Sequence, residues 1–382
     1  MFRLRSAAVY LLTAILTAFG AAEEHVAYQV EPQPDGSFVT PTNQVVTPAG
    51  TQVNFNGRPV SVVVRPDQKT AAVLVEGGGY TLPTLPIVII DLTTGKVKQQ
   101  FDPGKNNGAA NGVVYSHDGT HLYFSQDNGR IVVANVAADG TLSLETVIQL
   151  PSSLGTTNNG GLALSSDGKS LYVVLNQSNS VGIIDLSTNQ LASTIAVENA
   201  PFGIVVLEDR AYVTNQGGRV AQAGEFTVLS AGTRIVADSK DAFSITGTVS
   251  VIDLQAKRVV KNISVGLQPT AILAESGFIF VANTNSDSVS VIDASANEVV
   301  KTLHIKPFGK APLGSSPNGL ALTSRNELAV SLGANNAVAV YRWDRKQDFA
   351  WEGFIPSAWY PSSLATASSQ TAEQSRYREP IA

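Results

Sequence analysis

The 382-residue chain contains no cysteine. No disulfide can brace it, and cysteine-ligated zinc, iron–sulfur clusters, covalently attached c-type haem and cysteine-linked lipid anchors are all excluded. Charge is scarce too: Asp, Glu, Lys and Arg make up 15% of residues, against ~25% in an average globular domain. The net charge of −5 leaves no basic footprint, so no nucleic-acid partner is expected. Long amphipathic helical patterns are missing, whereas glycine (32) and proline (18) are plentiful; together these point to an all-β protein with many turns. The one long apolar run, Ala7 to Gly20, is short for a bilayer span. It follows Arg3 and Arg5 and precedes Gly20-Ala21-Ala22, a small-residue cleavage site ahead of Glu23-Glu24. Residues 1–22 therefore read as a secretory signal peptide. The mature chain is expected in the periplasm or outside the cell, with no membrane span after cleavage.

What the sequence does contain is repetition, with a period of about 40–50 residues. A unit opens with a Pro- or Asn-rich turn, a small residue and an apolar strand, as in ANGVVYS (110–116), NGGLALS (159–165), APFGIVV (200–206) and PNGLALT (317–323). A turn such as SDGK (166–169) leads into a second strand, LYVVL (171–175) or AYVTN (211–215). A third strand ends in aspartate, as in SVGIIDL (180–186) and SVSVIDA (288–294), and a fourth follows a short polar turn. This pattern predicts a seven-bladed-type β-propeller of four-stranded blades over residues 42–367, six blades complete and a seventh reduced. The reduced blade is expected to combine VVTPAG (45–50) with WYPSSLATA (359–367). The tail 368–382 is polar, without strand alternation, and reads as flexible. Blades that satisfy one another predict a monomer.

Small residues recur where first strands crowd the central axis: Ser61, Gly112, Gly161, Gly203, Ala271, Gly319 and Ser363. Asp91, Asp185, Asp253 and Asp293 recur at third-strand ends. Each can cap a turn, and since each stands in a different blade they cannot share one metal ion. Function is to be sought in what does not repeat. The variable residue before each small one faces the channel mouth, which nominates Asn111, Phe202, Thr270 and Asn318 to hold a small polar ligand. No general acid or base stands among them, so no catalytic residue is nominated. A long insertion, GGRVAQAGEFTVLSAGTRIVADSKDAFSIT, interrupts the fourth blade. Its Arg219, Glu225, Arg234 and Asp238 are candidates for docking a protein partner. A shorter glycine loop, EGGGYTLPTLP (76–86), reads as a turn. The pair in HDGTH (117–121) lacks a third metal ligand. Neither a P-loop nor a GxSxG motif occurs. No metal or cofactor is expected.

The stretches YVTN, FVANTNSDSVSVIDASANEVVKTL and NGLALSSDGKSLYVV resemble the YVTN-type (YncE-like) β-propeller repeat family. Residues 43–74, the insertion at 215–254 and GFIPSAWYPSSLA (353–365) resemble the N-terminal propeller of secreted proteins that join a propeller to an alkaline-phosphatase-like phosphoesterase domain. The resemblance implies phosphoesterase chemistry in a C-terminal domain that this sequence does not include, so no catalytic residue carries over. Two readings follow: a binding or interaction module without catalytic machinery of its own, or a hydrolase on a propeller scaffold, lactonase-like or phosphoesterase-associated.

Overall fold

The structure, a computed structural model, describes residues 30–31, 33–41, 44–76, 86–104, 109–127, 129–154, 159–230, 232–305 and 314–367. Residues 1–22, read above as a signal peptide, the tail from Ser368 and nearly all of the glycine loop at 76–86 lie outside these.

From Pro48 onward the chain forms one compact unit of six four-stranded antiparallel sheets. Blade 1 runs from Arg58–Val64 to Lys96–Phe101, blade 2 from Ala109–Tyr115 to Leu142–Gln149 and blade 3 from Asn159–Leu164 to Gln190–Ala196. Blade 4 runs from Asn199–Leu207 to Arg258–Val265, blade 5 from Pro269–Glu275 to Glu298–His304 and blade 6 from Pro317–Leu322 to Phe349–Pro356. The insertion of blade 4 adds a hairpin, Thr227–Ser230 with Thr233–Val236. The architecture is a β-propeller with almost no helix.

Strand alternation explains why the sheets stack. In Ser170–Leu175 of blade 3, Leu171, Val173 and Leu175 pack with Tyr123, Ile131 and Val133 of blade 2. The intervening Tyr172 and Val174 pack with Ile204, Ala211 and Val213 of blade 4. A strand buried on both faces must be apolar at every step, and each such side chain contributes about 1.5–3 kcal/mol. The core is thus a succession of layers between blades rather than one central cluster. Aromatic rings thicken the layer between blades 5 and 6, where Trp343 meets Phe280 edge-on at 5.1 Å.

The repeated aspartates cap turns. Asp91 Oδ1 accepts the Thr93 and Thr94 N–H groups, Asp185 that of Ser187, Asp253 that of Ala256 and Asp293 that of Ser295. The carboxyls of Asp91, Asp185 and Asp293 lie below the usual range, that of Asp91 held down foremost by the Thr94 N–H, those of Asp185 and Asp293 foremost by the Ser187 and Ser295 hydroxyls, which also donate to them.

A second repeated device joins one blade to the next. Asn179, Asp287 and Asn336 each follow a short 3-10 turn between the second and third strands and adopt left-handed φ of 48°, 46° and 53°. Their side-chain oxygens accept N–H groups from Ala200, Ser316 and Tyr360. Ala200, Ser316 and Tyr360 each precede a proline and are themselves left-handed. Their prolines, Pro201 and Pro317, lie in the first strands of blades 4 and 6; Pro361 follows blade 6.

The expected reduced blade is not seen as a sheet among the described residues. Val45–Val46 pair with Phe38–Val39 in a two-stranded hairpin, in a unit separate from the propeller. Residues 361–367 form no strand. They are nonetheless tied down: Ser362 Oγ donates to Pro59 O at 2.7 Å and Thr366 Oγ1 to Leu322 O at 3.1 Å. The first of these bonds joins the segment after blade 6 to blade 1 and closes the circle. Ala49 N, preceding blade 1, donates to Pro356 O at the end of blade 6 at 2.9 Å.

Candidate ligand-binding site

In all six blades the register between first and second strands slips at the same place: around Val60, Asn111-Gly112, Gly160-Gly161, Phe202-Gly203, Thr270-Ala271 and Asn318. Each slip is a bulge, which frees backbone from the ladder and re-aims side chains. The variable-then-small sequence pattern is its signature. A Cβ on Gly112 would stand 2.5 Å from Gly160 O, and one on Gly203 would stand 2.7 Å from Thr270 O. Only glycine admits the neighbouring strand so closely.

The freed polar groups are satisfied in a way the sequence did not announce. Ser125 Oγ accepts Gly112 N at 2.8 Å and reaches Gly160 O of the next blade at 3.3 Å. Thr214 Oγ1, within the YVTN stretch, accepts Gly203 N at 2.8 Å and donates to Thr270 O of blade 5 at 3.0 Å. A buried hydroxyl opposite the bulge therefore stitches blades 2 and 4 to their successors; in blade 6 the corresponding Ser331 donates to Asn318 Oδ1 of its own blade. In blades 3 and 5 the corresponding Val174 and Ala282 have no hydroxyl. There Asn176 and Thr284 reach forward instead, to Pro201 O and Pro317 O, each at 2.8 Å.

The bulges of all six blades, with Ser362 to Leu364, line one cavity of about 380 Å³. Asn111, Phe202, Thr270 and Asn318 all lie on its wall, but they are not equivalent. Thr270 is buried, and its hydroxyl is bound to Thr284 Oγ1 at 2.8 Å and Ala282 O at 3.4 Å, so it is turned away from any ligand. Asn318 Oδ1 accepts Ser331 Oγ at 2.6 Å, which leaves its NH2 to donate. Asn111 and Phe202 are half-buried, and the Asn111 amide has no partner among the described residues. Among the described residues of the wall, Arg58 alone is ionisable, and it is paired with Glu76 at 2.6 Å. The wall thus offers amides, hydroxyls and one aromatic ring around a nearly charge-free interior.

The docking-loop residues are largely spent on the insertion itself. Arg219 grips Glu225 in a two-pronged pair at 2.5 and 2.7 Å, and Gln222 N also donates to Glu225 at 2.7 Å. These bonds, the arginine's foremost, pull the Glu225 carboxyl from 4.5 to about 2. A lowered carboxylate pKa stabilises above the unfolded value and is lost as pH falls through the folded one. The insertion should therefore keep its order at pH 5 and loosen between pH 4.5 and 2. Hydrogen exchange of 219–226 reads this, and Glu225→Gln should reproduce the loosening at pH 7. Asp238 Oδ1 accepts the N–H groups of Lys240 and Asp241. Arg234 touches Thr227 Oγ1 at 3.5 Å.

No group of three or more potential metal ligands occurs among the described residues. His117 Nε2 lies 3.0 Å from Ser165 O. His121 lies beside Glu145 at 3.2 Å and Thr120 at 2.9 Å. The two histidines of HDGTH thus have separate partners.

These features place the chain in the class of β-propellers with a channel cavity. No family model matches the sequence, and no curated protein matches it. Solved structures do. Hydrazine synthase of Kuenenia stuttgartiensis superimposes with a TM-score of 0.62 at 16% identity, covering 84% of this chain and 92% of that one. The WD40 repeats of RRP9 give 0.61 at 13%, covering 82% and 85%. Virginiamycin B lyase of Staphylococcus aureus gives 0.59 at 12%, covering 82% and 90%. At such identities the likeness shows the fold alone, one that carries WD40 repeats in one protein and belongs to a lyase in another.

Proposed function

We propose that this chain is a secreted or periplasmic binding module that takes a small, uncharged polar ligand in its channel and has no catalytic machinery of its own. The observation that carries this reading is the cavity wall, where amides, hydroxyls and the Phe202 ring converge and, among the described residues, the sole ionisable side chain is already paired. Bond cleavage would call for a proton-transfer group within reach of the substrate, and the described wall supplies none. The motif resemblance supports placing the repeats with the YVTN type. The shared joint at Asn179, Asp287 and Asn336 supports a ring of seven places, the seventh held by Pro361 to Ala367.

The test is a ligand-detected NMR screen of neutral and charged small molecules, repeated with hydrolysis assays on the same compounds. A neutral binder is expected, and Phe202→Ala should weaken it by about tenfold or more, the loss of one aromatic contact within a pocket. Asn111→Ala should weaken it less. Turnover that depends on a residue of the channel wall would favour the hydrolase reading. Binding indifferent to both substitutions would remove the channel as the site.

A further inference from the structure

The insertion of blade 4 carries a surface that the channel does not use. Beyond its hairpin, Ala237 bridges to Ser244, Asp238 N donates to Phe243 O and Ile245 N to Val236 O. Residues 226–230, 233–238 and 243–245 therefore form a small three-stranded sheet, with 233–238 in the middle. Side chains alternate across it. On one face Thr233, Ile235 and Ala237 are buried, and Ile235 abuts Gly217 of the blade. Register puts Leu229, Arg234, Val236, Asp238, Phe243 and Ile245 on the other face, where Val236, in the middle strand, is itself buried. There Leu229 is 69% exposed, Phe243 74% and Ile245 51%. Arg234 and Asp238 are exposed and form no ion pair among the described residues.

We propose that this face pairs with the same face of a second copy of the chain. The charge pattern selects the partner. Arg234 and Asp238 are four residues apart on one strand, about 13 Å, with Val236 midway. A two-fold axis lying in the face and crossing the middle strand at Val236 sets Arg234 over Asp238 of the partner subunit, and does so twice. The alternative axis, along the strand, sets arginine over arginine and is repelled. The apolar side chains give the pairing its desolvated area, and the opposed charges fix its register. A surface this small falls in the weak class of interfaces, so the dimer is reversible. It does not conflict with blades that satisfy one another, because the insertion lies outside the ring.

Sedimentation velocity of the purified protein between ~10 μM and ~1 mM, the range that a weak interface demands, should show a dimer fraction that rises with concentration. Arg234→Glu and Asp238→Lys should each weaken association by about tenfold, and the two together should restore it. Because Asp238 also caps its turn, Asp238→Asn serves as the variant that keeps the turn and removes the charge; it should weaken association as well. Phe243→Ser should do so without a change in thermal midpoint. A monomer at every concentration overturns the proposal. So does a dimer indifferent to these variants, or a double variant that stays monomeric while both single variants melt as the parent does. Adsorption of the patch to phosphatidylcholine vesicles without self-association would assign the face to lipid and equally overturn it.

Discussion

Gly203→Ala should destabilise the protein by about 3 kcal/mol, the upper part of the range for overpacking a tightly packed site. The new methyl would lie 2.7 Å from Thr270 O, 3.1 Å from Ile272 Cγ2 and 3.2 Å from Thr214 Oγ1. The first of these is backbone of the next blade and cannot rotate away. Gly112→Ala should behave alike, at 2.5 Å from both Gly160 O and Leu162 Cγ. Gly161→Ala should cost less, since its nearest neighbours stand at 3.1 to 3.3 Å. None of the three glycines is held at positive φ, so the series isolates crowding from backbone strain. Chemical denaturation reads it. Equal losses at all three sites would show that the spacing between first strands does not set the cost.

Ending the chain at Pro356 should have a still larger effect. It removes the acceptance of Tyr360 N by Asn336, the Ser362 bond to Pro59 and the backbone of Ser363 and Leu364 that packs on Gly319. Blades 1 and 6 would then present uncovered inner strands, and exposed strand edges invite association between chains. The thermal midpoint should fall by about 10 °C or more, with a broadened transition and soluble aggregates on size exclusion. A truncated chain that melts sharply at the parent temperature would mean that the ring does not depend on this closing segment.

The strands were legible because their side chains carry two constraints at once. A residue such as Val173 must be apolar to pack on blade 2, while its neighbour Val174 must be apolar to pack on blade 4, and repetition makes that demand visible. The aspartates were legible for a similar reason: Asp185 and Asp293 perform the same local task with nearby partners. Asn111, Phe202, Thr270 and Asn318 could be placed on the channel wall from the small residue that follows each. Sequence could not say that the Thr270 hydroxyl turns to Thr284, because that depends on a bulge and not on residue type. It read the insertion by its charges, whereas Arg219 and Glu225 neutralise each other and the exposed Arg234 and Asp238 share their face with apolar side chains. Leu229, Phe243 and Ile245 lie far enough apart along the chain that only the sheet gathers them. A seventh sheet is not seen among the described residues: VVTPAG has strand-like composition, and its valines pair with Phe38 and Val39.

The bond between Ser362 and Pro59 spans 303 residues of chain. At a synthesis rate of roughly 5–20 residues per second, the first blade waits roughly 15–60 s for the segment that covers it. Closure is among the most non-local contacts in the ring and so belongs late in folding. During that interval the nascent blades stack on one another but expose a free flank at each end. A pause in elongation between blade 6 and Pro361 would prolong that exposure without altering a single residue of the finished protein.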